Sequence, residues 1–469
     1  MPPSPHLPVS FLVCAAAISL AVVVLSWFYW KAAVRVAFVV FLFEEYIYQL
    51  FSPKLQSWGL YFGRELIVWP KDLFLLGAYL RFFFTPKIWM QNVRLQAPVK
   101  WIVVLALGVA LGGLNSNIPS VILSLAGMKV YLFYLPLVFL VPYLFESVED
   151  AAAELSIYAL LGVLVGAMAL KQYSISQENL SGFQVRHALP VAITGTFNKP
   201  MSLTAFVLFF AALQLGLLIA SPLHRLKPAL FLSLLVVLAS GYVGQFRSVA
   251  VGLGVILFVL GLTLIFRRPK TNKGCGFMRW KNPARLSIFI PTVLVALGAA
   301  MVLVGTIFWG SRAQAWLGYY DVAPSTGPSS LARAWESAGL QGYGIGSEHP
   351  AVEGLRKLAG LPLPKLKAPL FDIEMWQVFG EIGLVGVLVW YGLKCLAIGT
   401  SLVAFGRAEK NLPRTLALTM ATFQIPYFLL RSEVDGTANF LLFAAWGLAL
   451  MPLRQEVSPT GRFQRRPAK

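Results

Sequence analysis

Chemistry in this chain rests on a small set of charged side chains set against apolar sequence. Arg247, in "SGYVGQFRSVAVG", is the only charged residue between Pro228 and Phe266. An arginine at a helix centre costs roughly 2.5–3.5 kcal/mol on insertion scales, and it cannot escape that cost by losing its proton. Arg247 therefore sits at a water-facing turn or meets an anion. Farther on, "SSLARAWESAGLQGYGIGSEHPAVEG" places Arg333 about ten residues before Gly342, Gly344 and Gly346. Glycines at alternate positions allow tight turns or close approach of the backbone to a ligand. This triplet neither follows a strand nor opens a helix, so a nucleotide fingerprint is disfavoured. "APLFDIEMWQVFGEIGLVG" then sets Asp372 and Glu374 before an apolar helix and Glu381 inside it. Acids at a helix start suit the dipole, whereas one inside a span needs a polar neighbour.

Together these residues suit chemistry on an anionic, lipid-borne group. Guanidinium groups in a water-poor site stabilise developing negative charge, and a carboxylate or histidine can accept a proton from an attacking hydroxyl. The four histidines, His6, His187, His224 and His349, show no metal-ligand spacing, and the three cysteines form no CxxC pair. No metal and no cofactor is expected.

The elements that must position these residues are membrane helices. The chain has 469 residues, 58% of them hydrophobic and only 13% charged. Repeated apolar runs and no strand alternation predict an all-α polytopic membrane protein and disfavour a β-barrel. Apolar segments fall at about 11–30, 36–52, 65–84, 101–121, 126–146, 152–170, 201–220, 229–245, 248–266, 286–309, 376–405, 414–430 and 437–453, which predicts 12 or 13 transmembrane helices. The second carries Glu44 and Glu45 and is the doubtful span. The net charge of +19 reflects loops rich in Lys and Arg and does not call for nucleic acid. Loop 267–285 has seven basic residues and no acid, and the tail 454–469 has five basic residues and one acid. Both are expected in the cytoplasm together with loops 81–100, 221–228 and 406–414. The acidic loop 145–154 falls on the same side and runs against the rule.

The organisation expected is an N-terminal bundle over 1–309, an extracytoplasmic loop over 310–375, C-terminal helices over 376–453 and a basic tail over 454–469. On the outer face lie the turn holding Arg247, the loop 171–200 with Arg186, His187 and "TFNKP", and the long loop. That loop has six basic and six acidic residues and is too long for a plain connector. Short helices are predicted in it at "PSSLARAWESAG", capped by Ser330, and at "HPAVEGLRKLAG". Nearly all charge is assigned to loops and no inverted pair of broken helices is visible, which weighs against a flippase or secondary transporter.

In this order, "GTFNKPMSLTAFVL", "GQFRS", "LARAWESAGLQGYGIGS" and "FDIEMWQVFGEIGLVG" resemble the O-antigen ligase and Wzy-type polysaccharide polymerase family, over about residues 195–400. The resemblance implies a GT-C-like, metal-independent glycosyltransferase of the bacterial cytoplasmic membrane, with its site facing outward. It implies an undecaprenyl-diphosphate-linked oligosaccharide as donor, a glycan acceptor, and chain-length or export proteins as partners. It places Arg247 and Arg333 on the donor diphosphate and proton transfer on Asp372, Glu374 or His349. Substrate contacts would come from Lys129, Arg186, Asn198, Gly342, Gly344 and Gly346. Ligases carry a histidine-asparagine pair where this chain has "FDIEM", so polymerase is the expectation and ligation to a lipid or protein the alternative.

Overall fold

The computed structural model describes residues 9–57, 63–85, 93–113, 115, 117–118, 120–182, 196–197, 200–266, 295–299, 339–347, 352, 356, 374–429 and 436–453. Among them there is no strand, and the protein is an all-α bundle. Its main helices are α1 (Val9–Phe28), α2 (Trp30–Ser57), α3 (Gly63–Phe83), α4 (Val93–Gly113), α5 (Val121–Leu132), α6 (Val148–Gly182), α7 (Pro200–Ala220), α8 (Lys227–Phe266), α9 (Glu374–Arg407), α10 (Asn411–Leu429) and α11 (Gly436–Leu450).

Six stretches among the described residues are long and apolar enough to cross a membrane: Val121–Tyr143, Val148–Ile175, Ser202–Ala220, His224–Val243, Gln377–Arg407 and Gly436–Leu453. Val13–Phe28, Lys100–Gly112 and Val249–Leu262 are shorter apolar helices. This is a polytopic membrane fold; among the described residues not every one of the expected 12 or 13 spans is a long apolar helix, and the span expected over 286–309 lies almost wholly outside the described residues. The difference has physical causes. The doubtful second segment is part of one 28-residue helix, α2, whose Glu44 is buried and pairs with Lys71 of α3. Polar residues matched between neighbouring helices lower the hydropathy of each helix without exposing charge to lipid. The helix expected over 101–121 ends at Gly113, and a turn carries the chain to α5, where the Ser120 hydroxyl accepts from the amide of Ile122. Helix α6 runs on to Gly182, into the expected loop 171–200.

Two helices reverse within themselves. α8 is 40 residues long, about 60 Å if straight, twice the hydrocarbon thickness. Residues eight apart in a straight helix lie about 12 Å apart along the axis. Yet a Cβ on Gly241 would stand 2.8 Å from Val249 Cγ1 and 2.9 Å from Val207 Cγ1 of α7. The next residue of α7, Leu208, meets Gly252. The chain therefore doubles back between Gly241 and Val249, as the "GQFRS" turn predicts. In α9 the break is at Gly383, with φ 74° and ψ −170°. Glu374 and Lys394, about 30 Å apart in a straight helix, are 2.5 Å apart here. The span expected over 376–405 is present as the candidate span Gln377–Arg407, and its first turns fold back as a half-helix at Gly383, a break the sequence does not announce.

The acidic loop finds its counter-charges nearby. Arg35 of α2 grips Glu154 through both carboxylate oxygens, at 2.8 and 2.7 Å, and Lys31 meets Glu146 at 3.1 Å. The α1–α2 turn and the loop 145–154 therefore share one face of the bundle, as the helix count requires.

Candidate functional site

The glycine-rich segment docks into the break of α9. The amide of Tyr343 donates to the carbonyl of Gly380 at 2.5 Å, and that of Gly344 donates to the carbonyl of Glu381 at 2.9 Å. These are carbonyls whose helical partners are lost where the helix breaks. Gly342, Gly344 and Gly346 have φ of 73°, 107° and 79°, a region side chains rarely adopt. A Cβ on Gly342 would lie 2.6 Å from the Gly380 carbonyl oxygen, and one on Gly383 would overlap the carbonyl of Leu340. A Cβ on Gly344 would meet the Ile118 side chain at 2.3 Å, and one on Gly346 the Gly127 Cα at 2.7 Å, so close packing as well as backbone geometry accounts for the three glycines.

The turn before α5 closes the other side of this segment. Asn115 Nδ2 donates to the carbonyls of Gln341 and Gly342, both at 2.8 Å, and Asn117 Nδ2 to that of Gly342 at 3.0 Å. Gly127 of α5 lies against Ile345 and Gly346. Val352, helical as expected for "HPAVEGLRKLAG", packs on Gly346. One turn on from Gly127, the same face of α5 presents Tyr131, whose hydroxyl donates to Glu381 Oε2 at 2.7 Å. Glu381 thus has the polar neighbour its place in an apolar run demands.

Below the break, the half-helix is tied down at its start. Glu374 is 0% exposed and Lys394 3%. Glu374 Oε2 takes Lys394 Nζ at 2.5 Å and Oε1 takes the Trp390 indole N–H at 2.9 Å. The ammonium also lies 4.9 Å from the ring centre of Tyr391 and 5.5 Å from that of Tyr427, within cation–π range. A buried pair needs such added partners to offset desolvation. Glu374 thereby anchors the chain end that follows Asp372.

The opposite face of α5 builds a second polar group. Lys129, two residues beyond Gly127 and so about 200° around the helix, points away from the glycine segment to Asp72 of α3. Its Nζ stands 2.5 Å from Asp72 Oδ2, and the Tyr134 hydroxyl donates to Oδ1 at 2.9 Å. Lys71, next in sequence to Asp72, is the residue paired with Glu44. Charge is therefore not confined to loops: Lys71 and Lys394 are buried inside the bundle and Lys129 is half-buried within a span.

Of the site residues expected from sequence, the structure brings Gly342, Gly344, Gly346 and Glu374 around α9, with Lys129 one helix away. Arg247 lies in α8 between the two points where the chain reverses, and its side chain is outside the described part. Arg186, Asn198, Arg333, His349 and Asp372 lie outside the described residues. No group of three or more His, Cys, Asp or Glu that could hold a metal occurs among the described residues. Tyr131, Asp72, Lys71 and Lys394 were not anticipated. Lys394 had the same signature as Arg247, a lone basic residue in an apolar run. Comparison with protein-family models, with curated proteins and with solved structures finds no match to this chain. By its own residues it is an all-α polytopic membrane protein, with six candidate spans among those described.

Proposed function

We propose that this chain is a membrane glycosyltransferase that polymerises lipid-diphosphate-linked oligosaccharide units at the outer face of the bacterial cytoplasmic membrane. The observation that carries the reading is the docking of the "GYGIG" segment into the break at Gly383. It brings together the described parts, residues 339–347 and 374–386, of two of the four stretches that resemble polymerases and ligases. The reversal of α8 at "GQFRS" supports it further. In this reading Arg247 and Arg333 hold the diphosphate and no metal is required. Both Glu374 oxygens are engaged within the protein, so proton acceptance is assigned to Asp372, with His349 as the second choice. The chain-length and export partners, and the outward orientation, belong to the same reading.

The test is polymer formation by purified protein from lipid-linked units with a chelator present. Arg247→Ala should lose roughly a hundred- to thousandfold in rate, as when one donor to developing charge is removed, with its unfolding temperature unchanged. Arg247→Lys, which keeps charge without the fork, should fall between. Normal polymerisation by Arg247→Ala, or a strict need for magnesium or manganese, would overturn the reading. Accumulation of lipid-linked polymer in a deletion strain would convert polymerase to ligase.

A second reading, a flippase for the same lipid-linked glycan, is favoured by one observation: Lys71, Lys129 and Lys394 lie within the bundle and α9 is broken, as transporter helices often are. Movement of labelled lipid-linked units across vesicles without an acceptor would select it.

A further inference from the structure

Two basic turns meet at one end of the bundle. A Cβ on Gly216, near the end of α7, would lie 2.8 Å from Thr419 Oγ1 and 3.2 Å from Leu416 Cδ2, near the start of α10. Deeper in, the ring centres of Phe209 and Phe423 are 5.7 Å apart. α7 and α10 therefore run antiparallel, and the turn from α7 to α8 lies at the same end as the turn from α9 to α10. The first carries Arg225 and Lys227, the second Arg407, Lys410 and Arg414, against one acid, Glu409. Arg225 and Arg407 are exposed and Lys227 is half-buried. The side chains of these three make no ion pair or hydrogen bond among the described residues. The nearby acids are engaged elsewhere. Gln214 of α7 donates to the carbonyl of Ala159 at 3.0 Å, and Gly162 meets Phe210, so α6 is also antiparallel to α7 and begins at this end. Of the acids there, Glu154 is held by Arg35 and Glu146 by Lys31, and Asp150 accepts from the amide of Glu146 at 3.1 Å. Glu149 lies in the first turn of α6, where the helix dipole suits it.

Next to these charges the helices present hydrocarbon. Leu402 and Val403 of α9, about a turn before Arg407, are exposed, and so are Phe231, Leu232 and Leu235 of α8 in the turns that follow Lys227. A ligand that matches both features has a net negative head and apolar chains. A soluble anion would leave the apolar flank unused, and a zwitterionic lipid would bring its own cation to the patch. We infer that the paired turns 221–227 and 406–414 form a docking surface for an anionic phospholipid. Arg225, Lys227 and Arg407 meet its phosphate in charge-assisted contacts, and its acyl chains lie along the start of α8 and the end of α9. Basic residues at a membrane surface each gain from anionic lipid within a Debye length. The surface requires only the membrane fold, so it stands or falls independently of the polymerase reading.

The test is a binding measurement. Full-length protein in detergent is titrated with phosphatidylglycerol and, separately, with phosphatidylethanolamine, and retention is read by native mass spectrometry. Phosphatidylglycerol should be held more tightly. Each neutralised charge should weaken it roughly fivefold, so Arg407→Gln loses about that much and the triple change Arg225→Gln, Lys227→Gln, Arg407→Gln roughly 50- to 100-fold. The unfolding temperature of these surface variants should stay near that of the parent. Arg225→Lys with Arg407→Lys keeps the charge and should keep the lipid. Lys31→Gln removes an ammonium that Glu146 already holds and should leave retention unchanged. Equal retention of the two lipids, or retention of phosphatidylglycerol by the triple variant at the parent level, overturns the surface. So does an equal loss in Lys31→Gln, which would show that overall charge and not this patch holds the lipid. Competition by soluble glycerophosphoglycerol as strong as that of the whole lipid would overturn the role of the apolar flank.

Discussion

The two faces of α5 meet two kinds of buried charge. Toward α9, Glu374, Lys394, Glu381, Trp390 and Tyr131 are locked in direct bonds with one another, and the ion pair is sealed from solvent. Toward α3, the Asp72 side chain is 9% exposed, its partner Lys129 is 41% exposed, and the Tyr79 hydroxyl has no partner among the described residues. A sealed pair has nothing left to offer a ligand and can only fix shape. An open pair keeps donors in reserve. The first group reads as framework for the α9 hairpin, and the second as a looser tie between α3 and α5.

The comparison breaks most sharply at Glu374. Glu374→Ala takes the carboxylate from a buried ammonium and should cost about 3–5 kcal/mol, read as loss of monodisperse protein or of thermal stability in detergent. Replacing both partners by methionine should recover most of that. If the double variant is no better than the single, the pair is not a self-contained framework element. Gly383→Ala comes next. It forces a side chain into a backbone region that is nearly glycine-only, at about 1–3 kcal/mol, and pushes on the Leu340 carbonyl. Protease sensitivity in the segment near 339–347 should rise, and an unchanged digest would show that docking does not depend on the break. Tyr131→Phe removes the hydroxyl that Glu381 accepts from and should cost about 1–2 kcal/mol, measured as a lower unfolding temperature. The smallest effect is expected on the open side: Lys129→Met should change stability by less than about 1 kcal/mol, as for other half-exposed pairs. A loss there as large as at Glu374 would erase the distinction between the two faces.

How much of this is legible in sequence varies with the range of the interaction. The all-α membrane class follows from composition, and the reversal near Arg247 follows from an isolated cation beside Gly241 and Gly244. Gly342, Gly344 and Gly346 announce unusual backbone because alternate glycines have few other uses. Glu381 announces a polar neighbour because an acid in an apolar run requires one. What sequence leaves open is which residue answers. Tyr131 is 250 positions from Glu381, and nothing local couples them. The break at Gly383 is hidden for another reason. Gly380, Gly383 and Gly386 are ordinary in a membrane helix, and only the close approach of Leu340 and Gly342 shows which of them must bend. Glu44 and Lys71 lower the hydropathy of α2 and α3 separately, so each helix looks a poor span until the two are seen to neutralise each other. For Arg333, His349 and Asp372, the residues that would do the chemistry, sequence is the whole of the case.

The folded-back start of α9 has a consequence for biogenesis. The stretch from Glu374 to Gly383 is about 14 Å long, half the hydrocarbon thickness, and carries two carboxylates. It is too short and too polar to enter the bilayer as an inserting segment of its own. The helix from Gly383 to Arg407 can enter, although Lys394 burdens it. The carboxylates of the half-helix are satisfied by partners outside it, Trp390 and Lys394 of the following helix and Tyr131 of α5, so it can settle only where these are already in place. Assembly of this corner therefore waits on a bundle that is already partly built.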